Sequence, residues 1–305
     1  MRWLVAGAGG MLGRDTVQEL LRRGEDVTGL GRTALDVTRP ASVAAAFAAY
    51  RPDVVVNCAA HTAVDDAETD EARALLVNGE GPRLLAAACA AHDARLVHVS
   101  TDYVFDGTAR TPYAEDHPPS PRTAYGRTKL AGERAVRALL PDASVIVRTA
   151  WLYGVHGRSF VRTMLDLETR RATVDVVDDQ RGQPTWSADV AVRVADLGPL
   201  AGRGATGVFH ATAAGEATWY DLAREVFRLT GADPDRVRPT TGDRCPRPAP
   251  RPAYSVLSHG RWREADLPPP RDWRTALRQA LPLIRGAPPD PVSPEEPEES
   301  LRETP

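Results

Sequence analysis

The chain has 305 residues, 42% of them hydrophobic, enough to bury a large core without cross-links. Its 38 Lys and Arg against 41 Asp and Glu give a formal charge of -3, which excludes a nucleic-acid binder held by overall electrostatics and points to a small-molecule partner. Cys58, Cys89 and Cys245 are widely spaced with no CxxC pair, which excludes a disulfide framework and suggests no zinc site. No apolar stretch approaches the ~20 residues that cross a bilayer, so a soluble, cytoplasmic protein is expected.

The first strand is predicted at Trp3–Val5. Glycines interrupt the apolar opening and Arg14-Asp15 follow it, which argues against a signal peptide. A helix over Leu12–Arg23 comes next, then a strand at Asp26–Leu30, a helix over Ser42–Tyr50 and a strand at Val54–Asn57. The alanine-rich stretch Ala72–His92 reads as one helix, followed by a strand at Leu96–Ser100, a helix over Tyr125–Leu140 and a strand at Ser144–Arg148. These strands are nearly continuous apolar runs, the pattern of strands covered by helices on both faces. The expected fold class is α/β, a Rossmann-type doubly wound parallel sheet with right-handed crossovers.

After about residue 160 the pattern loosens into polar and proline-dense stretches, with helices expected at Trp219–Leu229 and Arg271–Leu281. The expected organisation is an NAD(P)-binding Rossmann domain over 1–160, to which some later segments return, and a smaller C-terminal substrate-binding lobe over 161–285. The remainder, 286–305, is Pro, Glu and Ser with few apolar residues and is expected to be a disordered acidic tail.

Between the first strand and its helix lies Gly7-Ala8-Gly9-Gly10-Met11-Leu12-Gly13. The spacing is GxxGxxG on Gly7, Gly10 and Gly13, since a GxGxxG pattern would need its third glycine at Leu12. Such glycines serve the turn out of the strand, close backbone approach to a pyrophosphate, and packing of helix on sheet. The helix N-terminus adds free N–H groups and a positive dipole end. The second strand ends in Gly29-Leu30-Gly31-Arg32, with no acid for a ribose 2′-hydroxyl and an arginine that could meet a 2′-phosphate or could be a solvated surface charge. NADPH is favoured over NADH, which stays open.

Tyr125 and Lys129 are four residues apart, on one face of the predicted helix. An ammonium there is expected to lower the phenol's pKa and let Tyr125 act as general acid toward a carbonyl oxygen, with Lys129 also free to reach a ribose. Thr101, at the carboxyl end of the fourth strand, could hydrogen-bond the same carbonyl, although short hydroxyl residues also fill turns.

In these stretches the chain resembles the extended short-chain dehydrogenase/reductase superfamily and, within it, the dTDP-4-dehydrorhamnose reductase family. The matching segments are GAGGMLG, LDVT, VVNCAAHTAVDDAE, VHVSTDYVFDG, YGRTKLAGE, RTAWLYG, VVDDQRGQPTW and RPAYSVLS, in the family's order over roughly residues 3 to 281. The resemblance implies hydride transfer from NAD(P)H to C4 of a dTDP-4-keto-6-deoxyhexose, with Tyr125 as proton donor, Lys129 lowering its pKa and Thr101 tuning it. It also implies Gly10, Met11 and Leu12 along the pyrophosphate, Asp36 and Val37 beside the adenine, and Ala60, His61 and Thr62 along the middle of the cofactor. Thr101, Asp102 and Trp151 would contact the sugar nucleotide. Magnesium is associated with the family, and no ligands for it are named here.

Trp151 could cover a sugar ring or fill a core. His61 reads as a structural histidine. Asp65, Asp66 and Glu68 could recruit a cation or be solvated helix-start acids, and Asp15 has the same two readings. Where the family has Asn before Phe160, this chain has Ser159. A reductase serving another dTDP-deoxysugar and a non-catalytic NADP-binding regulatory subunit are the alternatives; a dehydratase would need an acidic pair after Thr101, where Asp102-Tyr103 stands. A monomer and a homodimer are both compatible with the sequence.

Overall fold

The computed structural model describes residues 1–202 and 205–287. In chain order its strands are β1 (Arg2–Ala6), β2 (Asp26–Leu30), β3 (Val54–Asn57), β4 (Arg95–Thr101), β5 (Ser144–Thr149), β6 (Leu152–Tyr153), β7 (Val174–Val177), β8 (Arg181–Gly182), β9 (Thr185–Trp186), β10 (Gly207–His210), β11 (Ala217–Thr218) and β12 (Val237–Thr240). The helices are α1 (Met11–Arg22), α2 (Pro40–Tyr50), α3 (Val64–Thr69), α4 (Glu71–Leu75), α5 (Gly81–Ala91), α6 (Ala124–Leu139), α7 (Phe160–Arg170), α8 (Ser187–Leu200), α9 (Trp219–Thr230), α10 (Gly260–Glu264) and α11 (Trp273–Gly286).

The central sheet has the order β10-β5-β4-β3-β1-β2, and every pairing in it is parallel. Both faces are covered, so alternate residues of one strand enter different cores. Trp3 and Val5 join Val54, Val56, Val97, Val145 and Val147 against α1 and α8. Leu4 and Ala6 join Val55, Leu96 and Ile146 against α2, α5 and α6. The chain leaves β1 toward β2, then returns across β1 to start β3, so the strand order reverses between β1 and β3. In open α/β sheets ligands bind beyond the carboxyl ends of the strands at such a reversal.

The sheet's sixth strand, β10, comes after much of the lobe, and α8 packs on α1. The lobe has its own core: Val174 and Val176 of β7, Val237 of β12, and the apolar faces of α7, α9 and α11. Helix α9 opens on a capping box, with Asp221 N–H on the Thr218 hydroxyl and Thr218 N–H on the Asp221 carboxylate, and closes on Gly231 at φ 85°. The acidic tail expected after α11 lies, from residue 288 on, outside the described residues.

The single helix expected over Ala72–His92 is instead three pieces, α4, a π-helical turn at Leu76–Glu80, and α5. The wide turn carries Asn78 inward, where its amide clasps the loop after β3: His61 N–H donates to Asn78 Oδ1 at 2.8 Å and Asn78 Nδ2 to the His61 carbonyl at 3.1 Å. Such single π turns concentrate at functional sites. Helices α3, α7, α8 and α10 lie outside the helices predicted from the sequence. No helix among the described residues is long and apolar enough to cross a membrane.

Candidate functional site

The carboxyl ends of β1, β3 and β4 carry the loops that hold most of the candidate residues. After β1, Gly7 turns the chain at φ 76°, and a Cβ there would lie 2.6 Å from the Ala59 nitrogen. Gly13 sits in the first turn of α1 so close to the strand exit that a Cβ would fall 2.2 Å from the Gly7 carbonyl oxygen. The spacing read from the sequence therefore has a steric cause at both ends. Gly10 caps α1 with no side chain over it, leaving the first-turn amides of Met11, Leu12 and Gly13 open to an anion. Met11 lies along Gly154, beside the site. Asp15, one turn further on, is buried against the Ser187 hydroxyl, and burial raises its carboxyl pKa.

After β2, Arg32 is exposed and its charge favours the ionised Asp36. The Asp36 carboxylate accepts from Thr38 N–H at 3.0 Å and the Thr38 hydroxyl at 2.7 Å, bonds that hold it below the usual carboxylate range. Val37 beside it is buried under Gly81. After β3, Ala60 and His61 are half-buried and Thr62 is exposed. His61 Nδ1 is buried and without a hydrogen-bond partner. Open first-turn amides, a cradle too tight for any residue but glycine, an exposed guanidinium and an orphaned imidazole nitrogen together fit a dinucleotide.

Thr101 ends β4, and Tyr125 opens α6 opposite it. The Thr123 hydroxyl caps that helix by accepting Gly126 N–H at 3.0 Å, and Glu68 accepts Ala124 N–H at 2.8 Å. The Thr101 hydroxyl lies near enough to the Tyr125 phenol to favour its ionised form. Thr101 in turn donates to Asp102 Oδ1 at 2.9 Å and accepts Tyr103 N–H at 3.2 Å. Tyr103 closes over the phenol edge to face, with ring centroids 5.6 Å apart. Lys129, one turn below Tyr125, is 2% exposed, and its ammonium donates to the Val99 carbonyl at 2.7 Å.

The electrostatics here correct the sequence reading. Tyr125 was expected below its free value, yet burial and the nearby Asp102 push the phenol up to about 12, the Thr101 hydroxyl opposing them. Burial pulls Lys129 down to about 8 while Glu133 holds it up. Both shifts favour the neutral forms, because the surrounding protein withdraws the two groups from water. Asp102, 3% exposed, is pushed up to about 6 by burial, with the Ser255 and Thr101 hydroxyls favouring its ionised form.

Trp151 is half-buried at φ 47°, with one ring face covered by Trp219 at a centroid distance of 3.6 Å and an interplanar angle of 6°. Gly182 packs so tightly on it that a Cβ would lie 2.5 Å from Trp151 Cε2. The acidic cluster is engaged: Asp65 accepts Arg251 at 2.6 and 2.9 Å and Ala249 N–H at 3.0 Å, and Glu68 caps α6. Among the described residues no group of three or more His, Cys, Asp or Glu converges. The described residues give the magnesium ion that the resemblance left open no cluster of three or more such ligands. Ser159 takes its own role, its hydroxyl accepting Arg162 N–H at 3.3 Å to cap α7. Cys58, Cys89 and Cys245 are all free thiols.

The model of the family described as the RmlD substrate binding domain matches residues 1–285. The chain belongs to this family. RmlD-type relatives match over nearly their whole length. A probable dTDP-4,6-dihydroxy-2-methyloxan-3-one 4-ketoreductase of Streptomyces antibioticus is 63% identical over 94% of this chain and 97% of its own. A dTDP-4-dehydrorhamnose reductase of Streptomyces griseus is 58% identical over 95% and 96%. A crystal structure of dTDP-4-dehydrorhamnose reductase from Bacillus anthracis in complex with NADP superposes with a TM-score of 0.88 at 34% identity, over 92% of this chain and 98% of that one.

Several residues of this RmlD-type site were not picked out from the sequence: Asn78, Ser255, Trp219, Arg251 and the buried pair Glu133–Arg148. Glu133 was within reach, since it continues the four-residue step of Tyr125 and Lys129 on a predicted helix. The others converge only through long-range packing.

Proposed function

We propose that this RmlD-family chain is an NADPH-dependent oxidoreductase that reduces the 4-keto group of dTDP-4-dehydro-6-deoxy-L-mannose (dTDP-4-dehydrorhamnose) to give dTDP-L-rhamnose. The observation that carries the reading is the half-buried Tyr125, its phenol withdrawn from water beside Thr101 at the carboxyl end of β4, with the Lys129 ammonium one helical turn below. The carbonyl to be reduced needs a proton donor at its oxygen, and Tyr125 supplies one.

Gly7, Gly10, Met11, Leu12 and Gly13 would hold the cofactor's diphosphate, Asp36 and Val37 its adenine, Arg32 the 2′-phosphate, and Ala60, His61 and Thr62 the middle of the molecule. Lys129 would reach its ribose. When bound, the cofactor supplies the hydride. The protein's own part is the proton. With its pKa near 12, Tyr125 is fully protonated at neutral pH, which suits an acid. An alkoxide at C4 has a conjugate acid near water's ~15.7, so the transfer from Tyr125 stays downhill by about three to four units. The phenolate left behind meets the Lys129 charge one turn away, which lowers the cost of the step. Thr101 aligns the phenol; its own proton is engaged with Asp102. Asp102 and Trp151 would line the sugar-nucleotide side.

The NADP bound to the Bacillus anthracis relative, and the absence of an acid at the end of β2, support NADPH over NADH. A soluble, cytoplasmic enzyme working as a monomer or homodimer is consistent with the reading. The test is oxidation of NADPH by the purified protein with dTDP-4-dehydro-L-rhamnose. Absence of turnover with that substrate and with other dTDP-4-keto-6-deoxysugars would leave the regulatory-subunit alternative. A second reading, 4-ketoreduction of a different dTDP-deoxysugar, is favoured by the name of the 63% identical relative. Identifying the reduced sugar of a single reaction separates the two.

A further inference from the structure

Helix α6 repeats one step three times: Tyr125, Lys129, Glu133. The last of these accepts both arms of the Arg148 guanidinium, Nε at 2.9 Å and Nη2 at 2.7 Å, and both side chains are only 2% exposed. Stability alone does not explain such a pair. Desolvating two charges costs about as much as their attraction returns, and apolar residues of equal volume are often as good or better. Here the remaining Arg148 nitrogen, Nη1, has no hydrogen-bond partner, and the guanidinium lies over the Phe105 ring at 5.0 Å. What the pair does is place a carboxylate one turn below Lys129, the only lysine in the chain.

The surroundings of Lys129 hold few other charges. On α6 it has Tyr125 above and Glu133 below. From the β3 side comes the Cys58 thiol, whose pKa burial raises to about 12, and from β4 comes His98, which burial keeps neutral with Lys129 acting in the same direction. Arg148 of β5 meets Glu133, the carboxylate below Lys129. Asp102 acts on Tyr125. The carboxylate near the ammonium is thus Glu133, and Arg148 is paired with it.

Resting on the reductase reading above, we propose that the buried Glu133–Arg148 pair sets the charge of Lys129. Glu133 keeps the ammonium protonated in a pocket that burial would otherwise neutralise, and Arg148 limits that hold. The pair is a positioning element, acting on the reaction through Lys129 without touching substrate or cofactor. Lys129 must be charged to stabilise the Tyr125 phenolate, so the proton-donor chemistry should stop where Lys129 loses its proton.

A single lysine makes the test direct. Protein labelled with [ε-13C]lysine gives one side-chain signal, and its midpoint can be followed against pH in the cofactor-free enzyme. Glu133→Gln should move that midpoint down by about one pH unit or more, and Arg148→Met should move it up. The alkaline limb of kcat/KM should move in the same two directions. A double variant, Glu133→Gln with Arg148→Met, leaves no unpaired buried charge and covers the case in which Glu133→Gln does not fold; its midpoint should still lie below that of the wild type. Folded variants whose Lys129 midpoint stays within a few tenths of a unit of the wild type would overturn the proposal, even with reduced turnover, since the pair would then be a core fastener. Shifted midpoints in a protein that reduces no dTDP-4-ketosugar would sink the reductase reading and leave the charge assignment standing.

Discussion

Asp102 offers a sharp test of the site's electrostatics through stability. Its carboxyl is raised from 3.8 to about 6, chiefly by burial. A group that binds its proton more tightly when folded weakens the fold as pH rises, because the unfolded chain releases the proton first. The loss begins near the unfolded value of about 4 and is complete above about 6, where it amounts to about 3 kcal/mol at 1.36 kcal/mol per unit. Asp102→Asn has no proton to lose. Its Oδ1 can still accept the Thr101 hydroxyl. The variant should therefore be more stable than the wild type by up to about 3 kcal/mol near pH 8, and by less than about 1 kcal/mol near pH 4. Urea unfolding of the two proteins at both pH values measures this. An equal difference at the two pH values, or a less stable variant near pH 8, would refute the account of a desolvated carboxylate.

Tyr125→Phe should keep the fold and lose about 10²- to 10⁴-fold in kcat, the usual worth of a positioned general acid, as read from NADPH oxidation at saturating substrate. In Gly13→Ala the new methyl meets the Gly7 carbonyl. α1 must shift off the sheet, and calorimetry should show dinucleotide binding weakened at least about tenfold, in step with a loss of Tm. Arg32→Ala should raise KM for NADPH about tenfold or more and leave KM for NADH nearly unchanged; equal effects on both cofactors would remove Arg32 from the 2′-phosphate.

The inner strands were legible because burial on both faces demands uninterrupted apolar runs, as in Val54–Asn57, found at its observed bounds; the edge strand Asp26–Leu30, with Leu30 its one buried residue, has no such run and was still found at its bounds. Gly7 and Gly13 were legible for a related reason: a close backbone approach admits nothing larger. The π turn was not, since what widens α4 into it is the pair of bonds between Asn78 and a loop seventeen residues away in sequence. The stacking of Trp151 on Trp219 is likewise invisible until the lobe folds over the sheet. Residue spacing placed Tyr125 and Lys129 on one face of α6, but spacing carries no information about solvent. The sign of the Tyr125 shift depended on how completely the neighbouring loops exclude water.

The return of β10 to the sheet limits how this chain can be cut or recombined. A fragment ending near residue 160 would keep β5 but strip β10 from its flank, along with α8 from its face. Val145 and Val147 would then sit on a bare edge strand with free backbone N–H and C=O groups and an uncovered apolar side. Such an edge is a template for pairing with another chain. Grafting a new lobe onto this scaffold would therefore require exchanging an internal segment between α7 and α8, and again beyond β10, with the strand itself left in place.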